Sequence, residues 1–168
     1  MSTTALPHQQ DIGSHVQGAD YRAGILGGLV AGVAMVPVMM AITTFLMKMG
    51  PWPAAKMAWS LVAGKEVIAP GFEFTPVMGG MVVHLLLSAA FGLVFAWLAS
   101  LLRMSPVTLG ALYGFGLYLT NIIAVPKLLP AWAGHMYPMN GMMHAAMVGE
   151  HLFFGLVLGV AYAAFRRA

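Results

Sequence analysis

No charged side chain lies between Arg22 and Lys48, where the chain reads "AGILGGLVAGVAMVPVMMAITTFLM". None lies between Glu73 and Arg103 either, through "FTPVMGGMVVHLLLSAAFGLVFAWLASLL". A helix needs about 20 largely apolar residues to cross the hydrocarbon core of a bilayer, and each run supplies one. Met104 to Pro126 supplies a third, and Met142 to Phe165 a fourth whose single acid is Glu150. Composition agrees. Apolar residues make up 60% of the chain and charged residues 8%, whereas a soluble domain carries about 25% charged residues to cover its surface. The expected fold is all-α, an integral membrane four-helix bundle filling residues 22–168, with spans near 23–47, 77–101, 105–125 and 142–165. Residues 1–21 read as a polar, flexible tail without a signal-peptide pattern. His8 and His15 in it are solvated, since nothing fixes their geometry.

The absence of cysteine excludes disulfides, iron–sulfur clusters and thiol chemistry. The basic balance rests on too few charges to indicate nucleic acid as a partner; in a membrane protein it reports orientation instead. Arg22, Arg103, Arg166 and Arg167 fall on one side of the four spans, and Lys48, Lys56, Lys65 and Lys127 on the other. The arginines sit at short ends and the lysines are diluted along longer loops, which favours both termini in the cytoplasm.

Glycine spacing describes the packing. Gly24, Gly28 and Gly32 repeat every four residues, as do Gly110 with Gly114 and Gly155 with Gly159. One such pair is common in any membrane helix; three helices with the same period point to close backbone contact along small-residue ridges. Pro37 is expected to kink the first span. The halves also align. "HLLLSAAFGLVFAWL" from His84 sets against "HLFFGLVLGVAYAAF" from His151, matching histidine to histidine and Gly92 to Gly159, while Gly28 and Gly32 match Gly110 and Gly114. Two duplicated hairpins are one reading of this; the ease with which apolar text aligns is the other. In either case spans two and four run in the same direction and carry their histidines roughly two turns in from the same side. The first loop, "GPWPAAKMAWSLVAG", is expected to form a short interfacial helix with Trp52, Ala55, Trp59 and Val62 on one side and Lys56 and Lys65 snorkelling outward.

Candidate chemistry gathers at the start of the last span, in "GHMYPMNGMMHAAMVGEH". Thioether and imidazole donors together suit copper, above all Cu(I), and the candidate ligands are His84, His144, His151, Met143, Met147 and Glu150. His84 and His151 at matching depths are what an axial bis-histidine haem b requires, with Gly92 and Gly159 leaving room for a porphyrin. Glu150 beside His151 inside a membrane suggests proton or ion passage, because ionisable groups there are costly. Against all three stands the plain reading, in which methionine fills gaps and histidine hydrogen-bonds between helices. No enzyme motif is present: no nucleophile elbow, phosphate loop or His-Glu-x-x-His, and Ser60, Ser88, Ser100 and Ser105 lack a base and orienter in sequence.

A Gly-rich first span ("GILGGLVAG"), a Pro/Trp-bearing first loop, "VVHLLLSAAFG" in the second span and "GEHLFFGLVLG" in the last make the chain resemble the YagU-like small inner-membrane proteins of bacteria, over about residues 22 to 165. The resemblance implies a four-helix protein of the bacterial inner membrane without an established reaction, and it carries over no catalytic residues. The functional expectation is a non-catalytic accessory or stabilising subunit of a larger membrane complex, such as a respiratory one. Its partners would be the lipid bilayer and other integral membrane subunits or copies of itself. The motive is that so small a bundle has few ways to use all its glycine-rich surfaces internally. A haem- or copper-binding protein is the alternative, and proton or ion passage at Glu150 the second.

Overall fold

The computed structural model describes residues 18–129 and 140–167. Most of the N-terminal tail, and the segment 130–139 with His135 and Met136, lie outside the described residues. Helix α1 (Tyr21–Ala41) continues as a π-helical turn (Ile42–Leu46). The first loop holds α2 (Trp52–Ala63), followed by α3 (Phe74–Leu101), α4 (Pro106–Ile123), a short α5 (Val125–Leu128) and α6 (Gly141–Phe165). Four helical stretches, Tyr21–Leu46, Phe74–Leu101, Pro106–Leu128 and Gly141–Phe165, are long and apolar enough to cross a membrane, and no strand occurs among the described residues.

The helices start where polar caps satisfy their first free N–H groups. Asp20 accepts from the Ala23 amide at 2.9 Å, Ser105 from Thr108 at 3.1 Å with Pro106 opening the helix, and Asn140 from Met143 at 3.0 Å. Helix α1 runs through Pro37 without ending. Its turn widens instead at Ile42–Leu46, where the buried Thr43 hydroxyl donates to the carbonyls of Met39 and Met40 at 3.2 and 3.1 Å.

Helix α1 lies between α3 and α6, and α4 packs on the other flank of α6; α3 and α4 barely meet. Backbone sets these crossings. A Cβ on Gly28 would strike the Ser88 carbonyl oxygen and lie 3.2 Å from Gly92 Cα. One on Gly110 would strike the Gly155 carbonyl oxygen and lie 3.2 Å from Gly159 Cα. Likewise Gly92 abuts the carbonyl of Gly24, and Gly159 that of Pro106. The α1/α3 and α4/α6 crossings therefore repeat at these glycines in the register of the sequence alignment, as a two-fold repeat would. The glycine ridges are consumed inside the chain, so they no longer give a motive for an outside partner. The core between them is Ala23, Ala31, Met35, Phe95, Ala96, Leu109, Phe154, Leu158 and Tyr162.

The first-loop helix differs from expectation in the side it buries. It docks on α3, where Gly80 lets the Ala55 carbonyl approach and Gly79 takes the Trp59 ring. Lys56 does not snorkel outward. It is fully buried, with its ammonium donating to the Glu73 carboxylate and to the Ala69 carbonyl at 3.0 Å. Docking on α3 turns Pro53, Ala54, Lys56 and Ser60 inward and leaves Val62 exposed. A buried ammonium can be carried there because Glu73, the residue before α3, reaches it.

Candidate functional site

The equivalent histidines occupy matching places in two separate crossings. His84 Nε2 lies 3.0 Å from the Gly32 carbonyl of α1, so the ring donates across the α1/α3 crossing, while Ser88 donates to the His84 carbonyl at 2.8 Å. His151 stands where its carbonyl meets Gly114, the counterpart of Gly32. Its ring turns to α4 and to its own helix. Nδ1 donates to the Met147 carbonyl at 2.7 Å, leaving Nε2 as the acceptor facing the Asn121 amide at 3.5 Å. A haem held by both rings would have to draw each away from these partners.

Around His151 the second hairpin collects polar groups. Glu150 Oε1 is 3.7 Å from His151 Nδ1, and the two side chains are 16% and 17% exposed in the isolated chain. Tyr118, almost fully buried, places its hydroxyl 3.2 Å from His144 Nδ1 and its ring 6.2 Å from that of His151, at 68°. His144, His151 and Glu150 are thus brought to one end of the α4/α6 crossing. His84 is engaged with α1, and Met143 and Met147 are half-buried on α6. Among the described residues no three histidine or carboxylate side chains come together.

The first hairpin has no such shell. In the register that sets Gly28 on Gly110 and Ser88 on Gly155, Val36 stands where Tyr118 does, and Met39 where Asn121 does. Val77 replaces His144 and Val83 replaces Glu150. Only the histidine is common to both halves. A bare histidine suffices to tie two helices together, and the added acid, phenol, amide and second imidazole distinguish the second half. Sequence reasoning missed Tyr118 and Asn121. Their three-residue spacing near the end of an otherwise apolar span, in "YLTN", was the available signal.

On the far side of this cluster the layer is closed by Phe154, Leu158 and Phe95, all buried. The site is therefore a polar cluster in the first half of α6, followed along that helix by an apolar core. No curated protein and no solved structure matches the chain. A family model does match, over residues 18–168 and without a link to the YagU-like proteins: the chain belongs to the family of unknown function DUF6789.

Proposed function

We propose that this is a non-catalytic, multi-pass membrane protein whose α4/α6 cluster takes up a proton on Glu150 and His151, serving as an accessory subunit to a larger membrane system. The observation that carries the reading is the ionisable pair itself. Ionisable side chains within a membrane helix are costly and mark function by default, and here Glu150 adjoins a histidine that has partners the first hairpin lacks. A proton needs a single acceptor, whereas copper needs several converging donors. His151 is set to receive one, with Nδ1–H fixed on Met147 and Nε2 open to accept. Protonation there would make Nε2 a donor, drawing Glu150 into an ion pair and turning the Asn121 amide to present its oxygen.

The apolar core of Phe154, Leu158 and Phe95 argues against a path through this chain alone. A proton held in the cluster leaves by the face it entered or passes sideways to a neighbour, and the second route gives the accessory role its content. Orientation follows from the charges. The four arginines and four lysines balance in number, but the arginines sit at short ends and the lysines are spread along longer loops. The termini are then cytoplasmic and the cluster lies toward the opposite face of a bacterial inner membrane.

Infrared titration of the whole chain in phosphatidylcholine liposomes tests the reading. As the pH is lowered one component of the carboxylic-acid carbonyl band should be missing from Glu150→Gln, while the bands of the other four acids remain, and a change in imidazole bands should be missing from His151→Asn. An unchanged titration in Glu150→Gln overturns the proposal. So does a purified protein with stoichiometric copper, or with a Soret band abolished by changing His84 or His151.

A further inference from the structure

The two-fold repeat is broken again between the two hairpins. The α1/α6 contact is closed, with Gly27 taking Leu158 and the Tyr162 backbone. Its counterpart between α4 and α3 has Leu109 where α1 has Gly27, and the two helices stand apart. Between them runs a groove of about 490 Å³, walled by Val94 and Leu98 of α3 and by Leu112 and Leu117 of α4. The polar atoms along it are already used. The Tyr113 hydroxyl donates to the Phe91 carbonyl at 2.9 Å, and the Thr120 hydroxyl to the Gly116 carbonyl at 2.9 Å. What remains for an occupant is hydrocarbon.

One end of the groove is charged. Leu102 and Met104 carry the lining into the α3–α4 turn, and between them stands Arg103, exposed and paired with no carboxylate among the described residues. Arg22 at the start of α1 and Arg166 and Arg167 after α6 lie on the same side of the bundle. An apolar slot ending at a guanidinium at membrane-surface height matches an acyl chain continuing into a phosphate, and arginine binds phosphate through two parallel N–H donors. A zwitterionic headgroup would offer that arginine side a cation as well; an anionic one does not. We propose that the α3/α4 groove is a binding site for one anionic phospholipid, with an acyl chain against Leu98 and Leu112 and the phosphate on Arg103.

Native mass spectrometry of the whole detergent-purified chain, supplied with phosphatidylglycerol or phosphatidylcholine, tests this. The wild type should retain phosphatidylglycerol about fivefold more than phosphatidylcholine, the scale of one interfacial basic residue, and Arg103→Gln should remove that preference. Gly116→Leu fills the groove from a position whose Cβ would meet nothing within 4 Å, so the protein keeps its fold and should lose retention of both lipids. Equal retention of the two lipids by the wild type overturns the proposal, as does a preference that survives Arg103→Gln. Lipid retention unchanged by Gly116→Leu overturns it too. If that variant instead splits a dimer, the groove is a subunit interface.

Discussion

Phe95 and Tyr162 hold the same position in the two hairpins and meet ring to ring, their centroids 5.3 Å apart and their planes at 78°. Two residues related by a two-fold operation can touch only where the axis passes, so this edge-to-face pair marks the centre of the bundle. Both are buried, at 0% and 1% exposure. Phe95 also meets Tyr113 at 5.6 Å, so its removal would open a cavity shared by α3, α4 and α6. Phe95→Ala is expected to cost about 3–5 kcal/mol, read as reversible unfolding in mixed micelles. Leu86→Ala, at a side chain 66% exposed to the surroundings, should change stability by less than about 0.5 kcal/mol.

Glycine substitutions should divide by what faces them. At Gly92 and Gly159 a methyl group would meet backbone, the carbonyls of Gly24 and Pro106, and the helices must move apart. Gly92→Ala and Gly159→Ala are each expected to destabilise by about 1–3 kcal/mol. At Gly116 nothing lies within 4 Å, and alanine there should be neutral or stabilise by up to about 1 kcal/mol through helix propensity. Equal effects at all three positions would show that the ridges are not the contact surfaces.

The sequence made the spans legible because the bilayer imposes a length and forbids unpaired charge, both of which are local properties. The Gly28/Gly110 and Gly32/Gly114 match was legible for the same reason, and it anticipates the repeated crossings. Which surface the glycines serve is a long-range fact. Read along the chain they suggested contacts left over for partners, whereas Gly28 faces Ser88 and Gly110 faces Gly155 within the bundle. The burial of Lys56 is not legible, because snorkelling is the default for a lysine between tryptophans and only docking on α3 brings Glu73 within reach. His144 and His151 were legible as neighbours on one helix. Tyr118 and Asn121 were not, since their relevance depends on α4 lying against α6.

Glu73 and Lys56 tie the first loop to the start of α3, and their contributions should be unequal. Glu73→Ala leaves a fully buried ammonium with the Ala69 carbonyl as its remaining acceptor among the described residues, at an expected cost of about 1–3 kcal/mol. Lys56→Met removes the charge and keeps most of the volume, so it should cost less. Amide hydrogen exchange separates the two, with α2 losing protection in Glu73→Ala while the membrane helices keep theirs.

His84 gives the control for the proposed site. Its ring donates to Gly32 across one crossing and has, among the described residues, no acid, phenol or amide partner of the kind found around His151. His84→Leu should cost about 0.5–1.5 kcal/mol, the range of a hydrogen bond between membrane helices, and leave the infrared titration of the carboxyl unchanged. A titration altered as strongly as by His151→Asn would place the two histidines in one functional unit.

Stability and function should run in opposite directions at Glu150. Its carboxyl is 16% exposed and among the described residues has a single ion-pair contact, His151 at 3.7 Å, which is charged only when the imidazole is protonated. Such a group adds little to the packing of α6 on α4 while carrying the cost of polarity within the membrane. Glu150→Leu replaces it with an apolar side chain and is expected to raise the unfolding free energy by about 1 kcal/mol or more, while removing its component of the pH-dependent infrared change. A gain in stability with loss of titration is what a residue kept for function should give. A loss approaching that of Phe95→Ala would instead make the carboxyl a structural brace, and the cluster would then be an ordinary polar seam between two helices.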